Sequence, residues 1–166
     1  MSSFRDNYIF FLIRPKTFLT SGDQFQKYLS KETLVISCMA GIKLSTIEKT
    51  LKSKKIVRIM PNVMALNNKS QTHIYMKNKN LFDSKLKKIL STFGTIINVR
   101  NEDQINFATS VFGSGPAFIA YIVNIFVKAS KKLAKPYDMN EKEVIELFKN
   151  VLELSLIHIS EPTRQA

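Results

Sequence analysis

The sequence predicts an α/β fold in which a partial parallel sheet is followed by an all-helical region. Three short apolar runs, of the kind that is buried inside a sheet, lie at Asn7–Ile13, Leu34–Cys38 and Ile56–Met60. Helical patterns separate these runs, and a strand–helix–strand order implies parallel strands joined by right-handed crossovers. Beyond about Arg100 the pattern stays helical. We therefore predict three segments: residues 1–100, 101–153 and 154–166.

Composition and charge argue against three classes of function: metal binding, membrane insertion and specific nucleic-acid binding. The chain has 166 residues, a net charge of +12, one cysteine and two histidines. The lone Cys38 excludes an internal disulfide and a cysteine cluster, so we expect no metal site. No run reaches the roughly 18 to 20 uninterrupted apolar residues of a membrane span, so we expect a cytoplasmic protein and no membrane partner. The lysines are spread over ordinary helix faces, and we expect solvated surface instead of specific nucleic-acid binding.

The carboxyl ends of the three predicted strands are the first candidate site, because ligands of parallel sheets bind beyond those ends. The ends are Arg14-Pro15, Met39-Ala40-Gly41 and Pro61-Asn62.

The sequence also predicts the remaining elements. Before about Arg100 they are a helix over Thr17–Leu29 weakened by Gly22, a helix opened by a Ser45/Glu48 capping box, a strand over Thr72–Lys77, a helix from Asp83 to Phe93 that stops at Gly94, and a strand over Thr95–Val99. After it they are helical sequence from Glu102, a helix over Ala117–Leu133 closed by Lys135-Pro136, and a helix from Asn140, with Glu143, to about Leu152.

A second candidate site is the stretch Gly113-Ser114-Gly115-Pro116, which precedes a long apolar run. Glycine permits unusual backbone geometry and proline suits the first turn of a helix, so the stretch predicts a sharp joint that opens a long buried helix. The free N–H groups of such a helix start suit a small anion such as a carboxylate. By itself the motif favours a helix–helix kink that binds no ligand. The apolar residues that follow cover more than one helix face, which predicts burial against a second subunit.

We make a separate prediction for each end of the chain. No G-x-G-x-x-G fingerprint occurs, so we expect the first βαβ unit and the pyrophosphate-binding turn to be absent from this chain. Residues 154–166 resemble the translation of a sequencing adaptor, and we interpret them as an adaptor-derived or non-native tail. His158 falls in that tail. His73, in a predicted strand, is expected to be structural.

Four motifs taken together resemble one family, the pyrroline-5-carboxylate reductases. That family's F-L-A-V-K-P is similar to residues 10–15, its V-I-S-x-A-A-G to 35–41, its R-V-M-P-N-T-P-A to 58–65, and its G-S-G-P-A-Y to 113–118. The motifs occur in the family's order and cover about Asn7 to Leu152.

The resemblance implies a partial Rossmann-type domain followed by a helical dimerisation domain. It also implies reduction of 1-pyrroline-5-carboxylate to L-proline with NADP or NAD as cofactor, and a homo-oligomer. Carried over by position, the residues on the nicotinamide-ribose side would be Ile13, Arg14, Pro15, Met39, Ala40, Gly41 and Asn62. Those beside the substrate would be Gly113, Ser114 and Gly115. No catalytic side chain is assigned, and NADPH is not distinguished from NADH.

Several positions depart from the family pattern. Leu12 and Met39 replace small alanines and are expected to crowd the cofactor surface, and Asn68 and Ser70 stand where the family has glycines. With the glycine turn and a later substrate loop both absent, we expect the chain to be inactive by itself. Two hypotheses follow: a fragment of a divergent reductase, or a non-catalytic dimerisation and interaction protein derived from one.

Overall fold

The computed structural model describes residues 8–134 and 138–160, and its first part is built on a five-stranded sheet. The strands are β1 (Tyr8–Phe11), β2 (Leu34–Ser37), β3 (Ile56–Met60), β4 (Ser70–Tyr75) and β5 (Gly94–Asn98), in the spatial order β1-β2-β3-β4-β5. Strands β1, β2 and β3 are parallel, which confirms the prediction for the first three runs. Asn7, the predicted first residue of β1, lies outside the described residues.

The sheet is mixed and not wholly parallel. Strand β4 runs antiparallel to β3, and β5 runs parallel to β4. The reason is the connection between β3 and β4, which contains only a 3-10 turn at Val63–Asn67. A parallel pairing would need a crossover of a dozen or more residues.

The helices are α1 (Pro15–Ser21), α2 (Leu44–Leu51), α3 (Ser84–Ser91), α4 (Asp103–Ala108), α5 (Gly115–Ala134) and α6 (Glu141–Ser160). The single helix predicted over Thr17–Leu29 is instead α1 followed by a 3-10 helix at Gly22–Tyr28. The change occurs at Gly22, where a Cβ atom would lie 2.8 Å from Thr50 Cγ2. Glycine is thus required by close packing against α2. Helix α6 continues past the predicted end near Leu152.

Two apolar cores cover the two faces of the sheet. One contains Val35 and Ile56 with Phe18 and Ile47 of the helices α1 and α2. The other contains Ile36, Val57 and Ile59 with Leu86 and Leu90 of α3. Because neighbouring residues of a strand face opposite sides, β2 and β3 are buried on both faces, as their continuous apolar runs predicted.

The helix caps test the local sequence signals. Asp83 caps α3 by accepting the Leu86 N–H at 2.7 Å, as predicted. The capping box of α6 is also confirmed: Asn140 Oδ1 accepts the Glu143 N–H, and Glu143 Oε2 accepts the Asn140 N–H. The remaining predicted box, that of α2, is wrong.

Helix α2 begins two residues earlier than the predicted Ser45 cap implies, after Lys43, and has no side-chain cap from its own sequence. Glu48 pairs with Lys77 Nζ at 2.5 Å. The Leu44 N–H donates to Glu102 Oε1 at 2.5 Å instead. A carboxylate distant in sequence therefore stabilises the positive end of α2.

The chain divides into two compact units, Met1–Pro116 and Ala117–Ala166. In the second unit Val127 packs on Val144, and the rings of Phe126 and Phe148 lie 4.4 Å apart. The burial predicted for α5 is not observed within the single chain, because several of its large apolar side chains are exposed, among them Phe118, Ile119, Tyr121, Ile122 and Ile125.

The stretch Asp103–Lys132 is long and apolar enough, by length and composition alone, to cross a membrane.

Candidate functional site

A cavity of about 550 Å³ lies beyond the carboxyl ends of β1, β2 and β3. Each of these strands contributes residues at or just past its end, and the segment between α4 and α5 forms the opposite wall. The lining residues are Phe10, Leu12, Cys38, Met60, Pro61, Asn62, Val63, Ala65, Phe93, Thr109, Gly113 and Ser114. Of the two candidate sites of the sequence, Pro61-Asn62 from the first and Gly113-Ser114 from the second line this one cavity.

The wall formed by the G-S-G-P motif is a π turn, Thr109–Gly113, inserted between α4 and α5. Such turns are rare and occur frequently at functional sites. Phe112 holds this turn against the sheet: its ring stacks on His73 of β4 with 5.0 Å between centroids, and meets Phe107 edge-on at 6.3 Å. His73 is buried and its Nδ1 lies 3.2 Å from the Gln71 carbonyl, which fits the structural role expected for it.

Asn62 joins the two walls. Its Nδ2 donates to the Phe112 carbonyl at 3.1 Å, and its Oδ1 accepts the Met64 N–H at 3.1 Å. Its own N–H donates to Ser70 Oγ at 3.1 Å. The end of β3 is therefore connected by hydrogen bonds to the π turn on one side and to β4 on the other.

The lining is mainly apolar and, apart from Cys38, contains no ionisable side chain. Burial raises the pKa of the Cys38 thiol to about 12, so that thiol is protonated near neutral pH and is not an activated nucleophile. The polar groups at the wall are the Asn62 amide and the hydroxyls of Thr109 and Ser114. Such a lining can accommodate a flat, weakly polar ring and orient it with a few hydrogen bonds.

The structure places the predicted site residues in three groups. Asn62, Gly113 and Ser114 line the cavity, and Gly115 follows at the first position of α5. Arg14, Ala40 and Gly41 are exposed just past the ends of β1 and β2, while Ile13 and Pro15 are partly buried there. Met39 is 1% exposed and its side chain lies in the core.

Two of the departures from the family pattern now have a structural reading. Because the Met39 side chain points inward, it does not crowd the surface as expected, whereas Leu12 is 73% exposed and lines the cavity. Asn68 adopts a left-handed conformation with φ 57°. Asparagine tolerates that conformation better than most residues, so it can stand where the family has glycine.

Sequence reasoning missed part of the cavity wall, namely Phe10, Met60, Ala65, Phe93 and Thr109. Strand-end position would have identified Phe10 and Met60. Phe93 and Thr109 reach the cavity only through the pairing of β4 with β5 and through the π turn. No local sequence signal marks those contacts.

Sequence reasoning also missed a buried ion pair next to the site. Arg58 of β3 is 1% exposed and donates from Nη1 to Glu102 Oε1 at 2.6 Å. The same oxygen accepts the Leu44 N–H, so Glu102 connects β3, the start of α2 and the start of α4. This contact fixes the loop that follows β2 relative to the helix that leads to the π turn.

Comparison with curated proteins identifies relatives of this chain. A curated pyrroline-5-carboxylate reductase of Staphylococcus aureus (strain COL) is 32% identical over 151 residues, which cover 88% of this chain and 53% of the relative. The chain is a relative of the pyrroline-5-carboxylate reductases. The resemblance first seen in four motifs is thereby confirmed, although no protein-family model matches the chain.

Solved reductase structures agree in fold. The enzyme of Coxiella burnetii has a TM-score of 0.67 and 26% identity, with 96% of this chain and 58% of that chain covered. The reductase of Plasmodium falciparum, solved with NADP bound, has a TM-score of 0.75 at 22% identity, with coverage of 93% and 58%. The predicted α/β fold, a Rossmann-type domain followed by helices, is confirmed. The chain spans about half the length of the curated reductases it matches.

Within residues 8–134 and 138–160, no group of three or more His, Cys, Asp or Glu side chains is placed to hold a metal ion. The His158 side chain lies outside the described part of the chain.

Proposed function

We propose that the protein to which this chain belongs reduces 1-pyrroline-5-carboxylate to L-proline with NADPH or NADH. The observation that carries the proposal is the cavity. It is lined by residues from the ends of three strands and by Gly113 and Ser114 of the G-S-G-P stretch. The identity to curated reductases over most of the chain supports it.

The residues past the strand ends fit the nicotinamide half of a dinucleotide. Gly41 has φ 72°, and a Cβ atom placed there would meet no atom within 4 Å, so the surface beyond β2 is open. Ile13, Arg14, Pro15, Ala40, Gly41 and Asn62 would hold this half, with Met39 contributing its backbone only. The bound nicotinamide would supply the hydride, and the protein would supply orientation and an apolar site.

The substrate would bind at the opposite wall. Gly113 and Ser114 precede the 20-residue helix α5 and Gly115 is its first residue, and these three would hold the substrate carboxylate with backbone N–H groups and the Ser114 hydroxyl. Ser114 lines the cavity and is exposed, so its hydroxyl is accessible. Rate acceleration on this proposal comes from placing the C=N carbon against the nicotinamide, with no covalent nucleophile.

We further propose that the protein is a cytoplasmic homo-oligomer assembled through its helical region. The exposed apolar side chains of α5 and α6, such as Phe118, Ile122 and Leu147, would be covered by a second copy.

The test is NAD(P)H oxidation by the full-length protein with and without 1-pyrroline-5-carboxylate. We expect oxidation that depends on the substrate, followed by absorbance at the reduced nicotinamide band. Absence of turnover in a folded protein would refute the reductase proposal. A dimer that binds no NADPH would favour the non-catalytic interaction protein instead.

The carboxylate contact is tested separately with Ser114→Leu in the same protein. We expect a Michaelis constant for the substrate raised about tenfold or more, because one charge-assisted contact is worth roughly that factor. Ser91→Leu, at the exposed end of α3, is the matched control. An unchanged Michaelis constant in the Ser114 variant would leave the motif with an architectural role only.

A further inference from the structure

Thr109 and Ser110, at the start of the π turn, are consecutive residues whose hydroxyls make the same local hydrogen bond. Thr109 Oγ1 lies 2.7 Å from the Ile105 carbonyl oxygen, and Ser110 Oγ lies 3.1 Å from the Asn106 carbonyl oxygen. Each hydroxyl thus bonds to the carbonyl four residues earlier, a known bond of such residues in helices. The two residues differ in place, because Thr109 is partly buried and lines the cavity, whereas Ser110 is exposed outside that lining.

The bond to Ile105 decides what the Thr109 hydroxyl can offer a ligand. A carbonyl oxygen only accepts, so Thr109 Oγ1 is the donor and its single hydrogen is engaged. The hydroxyl oxygen also has lone pairs that can accept, so toward a group bound in the cavity Thr109 acts as an acceptor only. The Ile105 carbonyl also receives the Thr109 backbone N–H and does not depend on the hydroxyl for a donor.

The other polar side chains of the cavity offer different groups. Both ends of the Asn62 amide are engaged in hydrogen bonds inside the protein. Cys38 is a protonated thiol, which is a weak acceptor. The accessible Ser114 hydroxyl is, on the proposed function, a donor to the substrate carboxylate. Ser114 and Thr109 therefore place a donor and an acceptor on the same wall of the cavity.

We propose that Thr109 Oγ1 accepts a hydrogen bond from the ring nitrogen of the substrate and so selects rings in which a protonated nitrogen is next to the carbon that bears the carboxylate. The inference rests on the proposed function and adds a specificity-determining residue to it. A C=N nitrogen offers an N–H only when it is protonated, and that form accepts a hydride at carbon more readily. The nicotinamide carboxamide is a less suitable donor, because the nicotinamide would lie at the strand ends and Thr109 is on the opposite wall.

The contact is tested by isothermal titration calorimetry of the full-length protein with NADP present. The two probes are L-proline and cyclopentanecarboxylate, which has the same ring size and carboxylate but a CH2 group in place of the nitrogen. Thr109→Val removes the oxygen and keeps the branched shape of the side chain. We expect it to weaken L-proline binding about tenfold or more, as for one lost hydrogen bond from a charged donor, and to change cyclopentanecarboxylate binding by less than about twofold.

Two further variants separate the ligand contact from the local bond. Thr109→Ser keeps the oxygen and should bind L-proline within about threefold of the wild type, because the hydrogen bond is retained. Ser110→Ala is the matched control, since it removes the equivalent bond to Asn106 outside the cavity and should leave both probes unchanged. Should Thr109→Val not fold, Thr109→Ala removes the same oxygen, and the ratio of the two dissociation constants gives the same comparison.

Three results would overturn the proposal. Equal weakening of both probes by Thr109→Val would mean a structural role, because a structural loss does not distinguish nitrogen from CH2. A loss of NADPH affinity without substrate, followed by fluorescence, together with unchanged L-proline binding would assign the acceptor to the carboxamide instead. A Thr109→Val variant that matches the wild type in binding and turnover refutes this inference alone, whereas absence of turnover in the folded wild type refutes the proposed function and this inference together.

Discussion

Removal of the Glu102 carboxylate is the change for which the structure gives the largest expected effect outside the cavity. Glu102 Oε1 accepts hydrogen bonds from Arg58 Nη1 at 2.6 Å and from the Leu44 N–H at 2.5 Å. Arg58 Nε and Nη2 are buried without an acceptor among the described residues. Glu102→Ala therefore leaves a buried guanidinium with no compensating charge.

The magnitude follows from burial. Removing one partner of a buried ion pair costs about 3–5 kcal/mol, and Glu102 is 20% exposed, which favours the lower end of that range. The buried Leu44 N–H loses its acceptor as well, which costs about 1 kcal/mol or more. We expect a total near 4 kcal/mol, or a fall in Tm of about 8–16 °C. Glu102→Gln keeps an acceptor oxygen for Arg58 and Leu44 but not the negative charge, so it should cost less than Glu102→Ala while remaining destabilising.

The assay is urea unfolding followed by circular dichroism, with the slope checked so that only stability differs. The control is Glu32→Ala, because Glu32 pairs with Lys55 at the same 2.6 Å but is 79% exposed, and such surface pairs contribute little. A Glu102→Ala variant within about 1 kcal/mol of the wild type would refute the claim that this carboxylate compensates Arg58.

Two further predictions concern the sheet and a helix cap. Gly94→Ala should cost about 3 kcal/mol or more, because φ is 132° and the new Cβ would lie 2.4 Å from the Ser70 carbonyl oxygen; Gly115→Ala, with no atom within 4 Å, is the control in thermal unfolding. The Leu86 N–H, with help from the Tyr8 hydroxyl, holds the pKa of Asp83 below its usual 3.8. Since a lowered carboxyl pKa stabilises the fold above the unfolded value, the penalty of Asp83→Ala, about 1 kcal/mol at neutral pH, should shrink as the pH falls below 3.8; a penalty independent of pH would contradict this reasoning.

The sequence by itself determined the features that depend on neighbouring residues. Continuous apolar runs gave β1, β2 and β3, and the caps at Asp83 and Asn140 were identified because a cap and its N–H partner lie within three residues. The four motifs indicated the similarity to the reductases, which the curated relatives confirm. Strand ends also pointed to the edge of the sheet at which the cavity lies.

Only the tertiary structure decided the features made by groups distant in sequence. The antiparallel pairing of β4 depends on a connection too short to cross the sheet, and the cap of α2 comes from Glu102, 58 residues along the chain. Asn62 and Phe112 are 50 residues apart, and His73 reaches the same ring from β4. A periodic pattern or a spacing rule records local hydrogen bonds and burial, whereas these contacts exist only once the sheet and the π turn have brought their partners together.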